Sequence, residues 1–159
     1  MRTQIKLIII FVILSVTYYF YSKNSFEFDE AIHYSITDEQ TDKVAMYELV
    51  YGTYPSEISD TLFVSKLEKK GFFKKKIDST KNNQLRTILT SDFGITIGIK
   101  KCETVYRDII ILKTNNKITG IAKICFGCGE HHFIGENFNE YNFDKYKELE
   151  KLLYKEVRN

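Results

Sequence analysis

A hydrophobic segment near the N-terminus decides where the rest of this chain can fold. Two basic residues, Arg2 and Lys6, precede an apolar run from Leu7 to Leu14, which continues into aromatic residues up to Tyr21. A run of this length lies between the core of a signal peptide and the roughly 20 residues that span a bilayer. Because basic flanks stay on the cytoplasmic side, the chain beyond the segment is expected to face outward.

The residues around this segment favour an anchor that is not removed. A signal peptidase needs small residues, and the nearest candidate, Ser15-Val16-Thr17, lies inside the apolar run. The tyrosines that follow are typical of an aromatic belt at the outer membrane interface. The sequence therefore predicts an N-terminal transmembrane or signal helix in residues 1–24, which contacts the membrane through residues 5–21. A cleaved signal and a buried helix remain as alternatives.

The remaining residues, 25–159, predict a single α+β domain in the periplasm or outside the cell. With 159 residues, of which 43% are hydrophobic, the chain fits one globular core. No Pro/Gly/Ser-rich linker divides it. The formal net charge of +2 gives little overall attraction for nucleic acid, so we expect no nucleic-acid partner.

Apolar periodicity predicts several strands and helices in this domain. Alternating apolar residues predict strands over 26–36, 72–77 and 95–99, and helical spacing predicts helices over 38–52, 59–70, 78–89 and 142–156. Ser59 or Asp60 is expected to cap the second of these helices, and Gly71 to end it. The following helix is expected to begin with a cap at Asp78 or Ser79.

A β-hairpin is the clearest local unit. Two β-branched runs, Val105–Lys113 and Ile118–Phe126, flank the turn Thr114–Lys117, and asparagine tolerates the positive φ that tight turns require. The continuous apolar run within the first strand indicates a central strand that is covered on both faces. We therefore predict a central antiparallel sheet that includes this hairpin and is packed by several helices.

The only patch with chemical character lies at the open end of this hairpin. If Asn115 and Asn116 are the two turn residues, Cys102 lies opposite Gly129 and Cys125 lies opposite Tyr106. Cys102 is therefore expected to lie close to Cys128. The candidate site residues are Cys102, Cys125, Cys128, His131 and His132.

Three interpretations of this cluster remain open. In an oxidising compartment two cysteines would form a disulfide, for which Cys102–Cys128 is the preferred pair. Alternatively, C-x-x-C-G has the form of a zinc knuckle, and Cys102 with a histidine would complete four ligands. A redox-active thiolate is the third interpretation, although its motif should open a helix. Taken alone, His131 and His132 are expected to be exposed loop residues.

Other charged residues indicate no catalytic centre. Arg107 and Asp108 are neighbours on a strand and must point to opposite faces, so they cannot form a catalytic pair by themselves. The serines lack an elbow motif, and no nucleotide-binding glycine loop is found. Lysines are concentrated on one helix end and the next strand, which predicts a solvated sheet edge or a contact with anionic lipid headgroups: Lys66, Lys69, Lys70, Lys74, Lys75, Lys76 and Lys81.

Several blocks of sequence resemble an uncharacterised family of small exported proteins from flavobacteria and their relatives. The blocks are Ile32-His33-Tyr34, Ile58-Ser59-Asp60-Thr61, Leu67-Glu68-Lys69-Lys70-Gly71-Phe72, Cys102-x-x-Val105-Tyr106-Arg107-Asp108-Ile109 and Ile118-Thr119-Gly120-Ile121-Ala122-Lys123-Ile124-Cys125-Phe126-Gly127-Cys128. The resemblance implies an exported location and a shared fold, but no reaction. It covers all three cysteines and does not extend to His131 or His132.

The sequence thus predicts a membrane-anchored extracytoplasmic domain that acts as a binding or structural envelope module. We expect it to be single-pass in the inner membrane, with an envelope protein as a further candidate partner. The alternative is a zinc-binding or thiol-redox protein that uses the cysteine cluster. No catalytic residue and no cofactor other than zinc is indicated.

Overall fold

The computed structural model describes residues 9–15, 27–41, 47–90, 104–135, 138 and 145–154. It confirms the α+β class and the central antiparallel sheet. The strands are β1 (Glu30–Ser35), β2 (Phe73–Lys76), β3 (Asp108–Thr114), β4 (Lys117–Cys125) and β5 (Glu130–Gly135), in the spatial order β2-β1-β3-β4-β5. The helices are α1 (residues 9–15), α2 (Asp38–Thr41), α3 (Tyr47–Val50), α4 (Thr61–Lys69), α5 (Asn82–Thr90) and α6 (Tyr146–Tyr154), and a 3-10 turn (Ser79–Lys81) leads into α5.

Helices cover both faces of the sheet. On the side that we call face 1, α5 and α6 pack on alternate residues of the central strands, such as Ile110 and Ala122. On the opposite side, face 2, α3 and α4 pack on the residues between them, such as Ile109 and Ile121. The run from residue 109 to residue 112 is fully buried, which confirms a central strand covered on both faces.

The ends of α4 show which helix signals were correct. Gly71 has a φ of 86°, and the N–H groups of Gly71 and Phe72 donate to the carbonyls of Glu68 and Leu67. This is a Schellman motif, so the predicted glycine end is confirmed. At the other end Asp60 occupies the cap position without a side-chain hydrogen bond, so the prediction of a side-chain cap there was wrong.

Asp78 acts as a cap, as predicted, but it caps a 3-10 turn that precedes the next helix. The Asp78 side chain accepts a hydrogen bond from the backbone N–H of Thr80 at 2.8 Å. This contact caps the 3-10 turn, and α5 follows directly after it.

The hairpin forms at its predicted turn, but its register differs from the expected one. Asn115 and Asn116 have φ values of 51° and 64°, as a type I′ turn requires. A β-bulge between Leu112 and Lys113 then shifts the pairing by one residue, so that Asp108 lies opposite Ile124. The predicted pairing of Cys125 with Tyr106 was therefore wrong, because an extra residue enters one strand of the ladder.

Several predicted segments lie partly outside the described residues. The predicted helix over 38–52 is represented by α2 and α3 on either side of residues 42–46, which are not described, and the predicted strand over 95–99 is not described either. The described part of the N-terminal segment is α1, whose side chains are exposed. Among the described residues, no helix has the length and apolar character needed to cross a bilayer. The membrane anchor in residues 1–24 stays a prediction.

Candidate functional site

The structure places the predicted cysteine site at the turn between β4 and β5. Cys125 ends β4 as a buried free thiol, and Cys128 lies in the turn that follows. Cys102 is outside the described residues, so both the Cys102–Cys128 disulfide and the zinc site stay predictions. Within the described part of the chain, no group of three or more His, Cys, Asp and Glu side chains could hold a metal ion.

The two histidines are not loop residues. His131 and His132 both lie on β5, where they pair with Ile124 and Lys123 and are partly buried. Neighbouring residues of a strand point to opposite faces, so the sheet separates the two imidazoles. The prediction of an exposed loop was wrong because a fifth strand continues past the turn.

Only His131 points toward face 1, where it contacts α6. Its Nδ1 lies 2.6 Å from the Tyr146 hydroxyl, which also donates to the carbonyl of Gly129 at 2.6 Å. Burial raises the pKa of Tyr146, so this phenol stays protonated. Tyr146 therefore fixes the β4–β5 turn against the first turn of α6.

A second polar cluster is more deeply buried, and no sequence pattern predicted it. His33 of β1 and Asp108 of β3 are only 3% and 6% exposed, and His33 Nε2 lies 2.7 Å from Asp108 Oδ1. The hydroxyl of Tyr154, in the last described turn of α6, donates to the same carboxylate oxygen. The rings of His33 and Tyr154 meet edge to face, with centroids 5.5 Å apart.

The Tyr154 hydroxyl acts as a donor throughout the physiological pH range. Burial raises the pKa of Tyr154, and the negative charge of Asp108 raises it further. A protonated phenol and an imidazole N–H thus converge on one buried carboxylate oxygen. Because buried polar groups are stable only when they are paired, this cluster fixes the positions of β1, β3 and α6 relative to one another.

His33 also forms part of the wall of a cavity between β2 and α6. The cavity has a volume of about 460 Å³, which is within the usual range for small-molecule sites. We call it the β2–α6 cavity. Its apolar wall is formed by Ile77, Leu152 and Leu153, and its polar rim by Asp29, Lys75, Lys76, Asp78, Ser79 and Lys81.

The sheet register places a lysine beside the buried histidine. Lys75 of β2 is the cross-strand partner of His33, so both side chains lie on face 1, at the distance of directly opposed residues. Lys76, on the next position, forms an ion pair with Glu30 at 2.7 Å. The cavity thus combines an apolar wall, a rim of lysines and aspartates, and a hydrogen-bonded imidazole.

Face 2 contains a further buried charge at the centre of β4. Lys123 is 0% exposed, and its Nζ donates to the carbonyls of Tyr51, Gly52 and Tyr54 at 3.5, 3.2 and 2.7 Å. The ammonium also lies 4.7 Å from the centre of the Tyr106 ring. Burial lowers the pKa of Lys123 to about 7. Since an ammonium has three donors and three carbonyls accept them, the lysine attaches the loop after α3 to the sheet.

Comparison with known proteins does not assign the chain to a family. No family model matches the chain, and no curated protein or solved structure matches it. The resemblance to a flavobacterial family of exported proteins stays a prediction.

The sequence offered one weak signal for the buried cluster. Asp108 directly precedes a run of four apolar residues, and His33 lies between Ile32 and Tyr34 in a strand. A charged or titratable residue within a strand that is buried on both faces needs a partner. Which partner it has depends on strand order, and the sequence did not supply that order.

Proposed function

We propose that the chain is a membrane-anchored extracytoplasmic binding module and that the β2–α6 cavity is its ligand site. The observation that carries this proposal is a buried histidine, His33, in the wall of a cavity of small-molecule size, with its ring held by Asp108 behind it. Ligand sites combine an apolar wall with a few fixed polar groups. Here Asp108 and Tyr154 fix the imidazole, and Leu152 and Leu153 supply apolar surface.

The proposed location rests on the N-terminal sequence. The apolar run, its basic flank at Arg2 and Lys6, and the aromatic residues after it support an inner-membrane anchor with residues 25–159 outside. A reporter that is active only outside the cytoplasm, fused after residue 159, tests this topology. Activity of the reporter together with retention in the membrane fraction is expected, whereas an inactive, soluble fusion would contradict the proposal.

The ligand site is tested by blocking its rim. The full chain in phosphatidylcholine nanodiscs is titrated with a panel of small neutral and charged fragments, and the methyl NMR signals of Ile77, Leu152 and Leu153 are followed. At least one fragment class is expected to shift these signals together. Ser79→Trp, at the rim, should abolish the shifts, and Ser59→Trp, an exposed serine before α4, should leave them unchanged.

Two results of this titration would contradict the proposed ligand site. If no fragment shifts the three methyl groups, or if both tryptophan variants behave alike, the cavity is not a ligand site. The envelope module would then be a structural domain.

The second candidate function is a thiol- or zinc-dependent protein built on the cysteine cluster. Its support is the placement of Cys125 and Cys128 around one turn. Thiol titration with and without denaturant, beside metal analysis, separates the two candidates. One thiol that reacts only after unfolding, without metal, supports a Cys102–Cys128 disulfide with Cys125 left over. Three thiols with one equivalent of zinc support the metal site.

A further inference from the structure

The lysines around the β2–α6 cavity are already engaged within the protein. Three of them line it, Lys75, Lys76 and Lys81. Lys76 follows Lys75 on β2, so its side chain points to face 2, where it is ion-paired with Glu30 at 2.7 Å. Lys75 and Lys81 also have interaction partners within the protein. A ligand therefore meets ammonium groups whose charge is partly or fully compensated.

Two aspartates carry the negative charges of the rim. Asp78 accepts from the backbone N–H of Thr80, and Asp29 from that of Asn115, both at 2.8 Å. The hydrogen bonds from Thr80 lower the pKa of Asp78, and the positive charge of Lys81 lowers it further. Besides the lysine that is paired on face 2, two lysines and two aspartates thus remain at the rim, and their charges balance.

A ligand with a charge of its own gains little from such a rim. Its charge would leave water, and it would have to displace a partner that a lysine or an aspartate already has. An uncharged ligand needs no counterion, and the hydroxyl of Ser79 at the rim can donate to it or accept from it. The balance of charges therefore favours a head group that is polar but uncharged.

The wall of the cavity favours an apolar part in the same ligand. Ile77, Leu152 and Leu153 line it, and all three belong to the apolar cluster of face 1. An apolar chain that lies on this wall leaves water, which favours binding. The ligand that suits both the rim and the wall is thus amphiphilic.

The domain also begins beside this cavity. Phe28 packs in the same apolar cluster as Leu152 and Leu153, and Asp29 lines the rim. Asp29 follows Tyr21, the last residue of the predicted membrane contact, by eight residues. Because eight residues span at most about 29 Å, the predicted anchor keeps the cavity within that distance of the membrane surface. Molecules that partition into the membrane are concentrated there.

We propose that the cavity binds an uncharged amphiphile from the membrane surface, with a hydroxyl-bearing head and an apolar chain. This inference rests on the proposed ligand site and on the proposed membrane anchor. The head contacts the charge-balanced rim, and the chain lies on the apolar wall. Glycerol esters with a single acyl chain represent this class of molecule.

The experiment compares eight-carbon amphiphiles that carry heads of different charge. The full chain in phosphatidylcholine nanodiscs is titrated with monooctanoylglycerol, octyl phosphate, octyltrimethylammonium or octylphosphocholine, and the methyl NMR signals of Ile77, Leu152 and Leu153 are followed. Monooctanoylglycerol should shift these signals and bind at least about tenfold more tightly than any charged or zwitterionic analogue. Glycerol, which lacks the chain, should leave them unchanged. Equal or tighter binding of a charged or zwitterionic analogue would overturn the proposal, as would a response to glycerol.

Two matched substitutions test whether the balance of rim charges sets this preference. Ser79→Lys adds one positive charge to the rim and should raise the affinity for octyl phosphate about tenfold, as a new charge-assisted hydrogen bond predicts. Ser59→Lys makes the same change at an exposed serine before α4, which packs on face 2, and should leave that affinity unchanged. If the two variants respond alike, the charge balance does not select the ligand and the proposal is wrong.

The results also separate this inference from the proposed ligand site. If other fragments shift the cavity methyl groups and monooctanoylglycerol does not, the cavity binds another chemical class and this inference alone is wrong. If none of these molecules shifts the signals, the ligand site and this inference are both wrong.

Discussion

Replacing Lys123 with methionine is expected to remove a pH dependence from the stability of the fold. The wild-type side chain is fully buried, and burial lowers its pKa from 10.5 to about 7. Between these two values the unfolded chain binds a proton that the folded chain does not. The free energy of unfolding of the wild type should therefore rise with pH above about 7. Lys123→Met has no group to titrate at this position.

The size of the effect follows from the two pKa values. Each pH unit between them contributes up to about 1.4 kcal/mol. Because the folded-state group is only half deprotonated at its pKa, integration from pH 7 to pH 9 gives about 2 kcal/mol. Well below pH 7 both states carry the proton, so the contribution of Lys123 to stability becomes flat there.

The assay is urea unfolding of the full chain in mild detergent, followed by circular dichroism at pH 6, 7, 8 and 9. The difference in unfolding free energy between wild type and Lys123→Met should increase by about 2 kcal/mol from pH 7 to pH 9, since other titrating groups cancel. If the difference stays constant within 0.5 kcal/mol, roughly the error of such measurements, the reasoning is wrong. Should the variant not fold, an NMR titration of the wild-type Lys123 ε-methylene with a midpoint near 10 would equally refute it.

Three further substitutions test the packing of the fold by the same unfolding assay. Tyr154→Phe removes the hydroxyl that donates to the buried carboxylate of Asp108. It should lower the free energy of unfolding by about 2 kcal/mol, which is typical of a hydrogen bond to a charged group. A change below about 0.5 kcal/mol would contradict the stabilising role of the His33–Asp108–Tyr154 cluster. Gly120→Ala places a Cβ 2.9 Å from Cζ of Phe138 and should cost about 1–3 kcal/mol, whereas Gly127→Ala, with open space around its Cβ, should be neutral. Gly71→Ala forces an alanine into a φ of 86° and should cost about 1 kcal/mol; an unchanged midpoint would show that the end of α4 tolerates the strain.

Local signals predicted much of this fold. The Asn115-Asn116 pair located the tight turn, Gly71 located the end of α4, and alternating apolar residues located β1. Each of these signals depends on the conformational preference of a few neighbouring residues. The β-bulge after Leu112 has no such local marker, and it was enough to shift the predicted register.

The burial of His33 and Lys123 depends on tertiary packing, which the sequence alone did not predict. The apolar residues of β1 predicted one buried face, which left His33 on the polar side of the strand. In the structure α6 covers that side, and Tyr154 contacts His33 there. The sequence likewise did not mark Lys123 as buried, and in the structure the loop after α3 closes over it. Both burials depend on contacts between residues that are far apart in sequence.

The position of Tyr154 has a consequence for the order in which the protein is made. A ribosome that has synthesised β1 and β3 has already supplied His33 and Asp108, but the phenol that completes their cluster belongs to the last described helix. Until that helix emerges and docks, one wall of the pocket is missing and the carboxylate is open to water. Any ligand that this cavity binds can therefore be recognised only after α6 has been synthesised and has docked on the sheet.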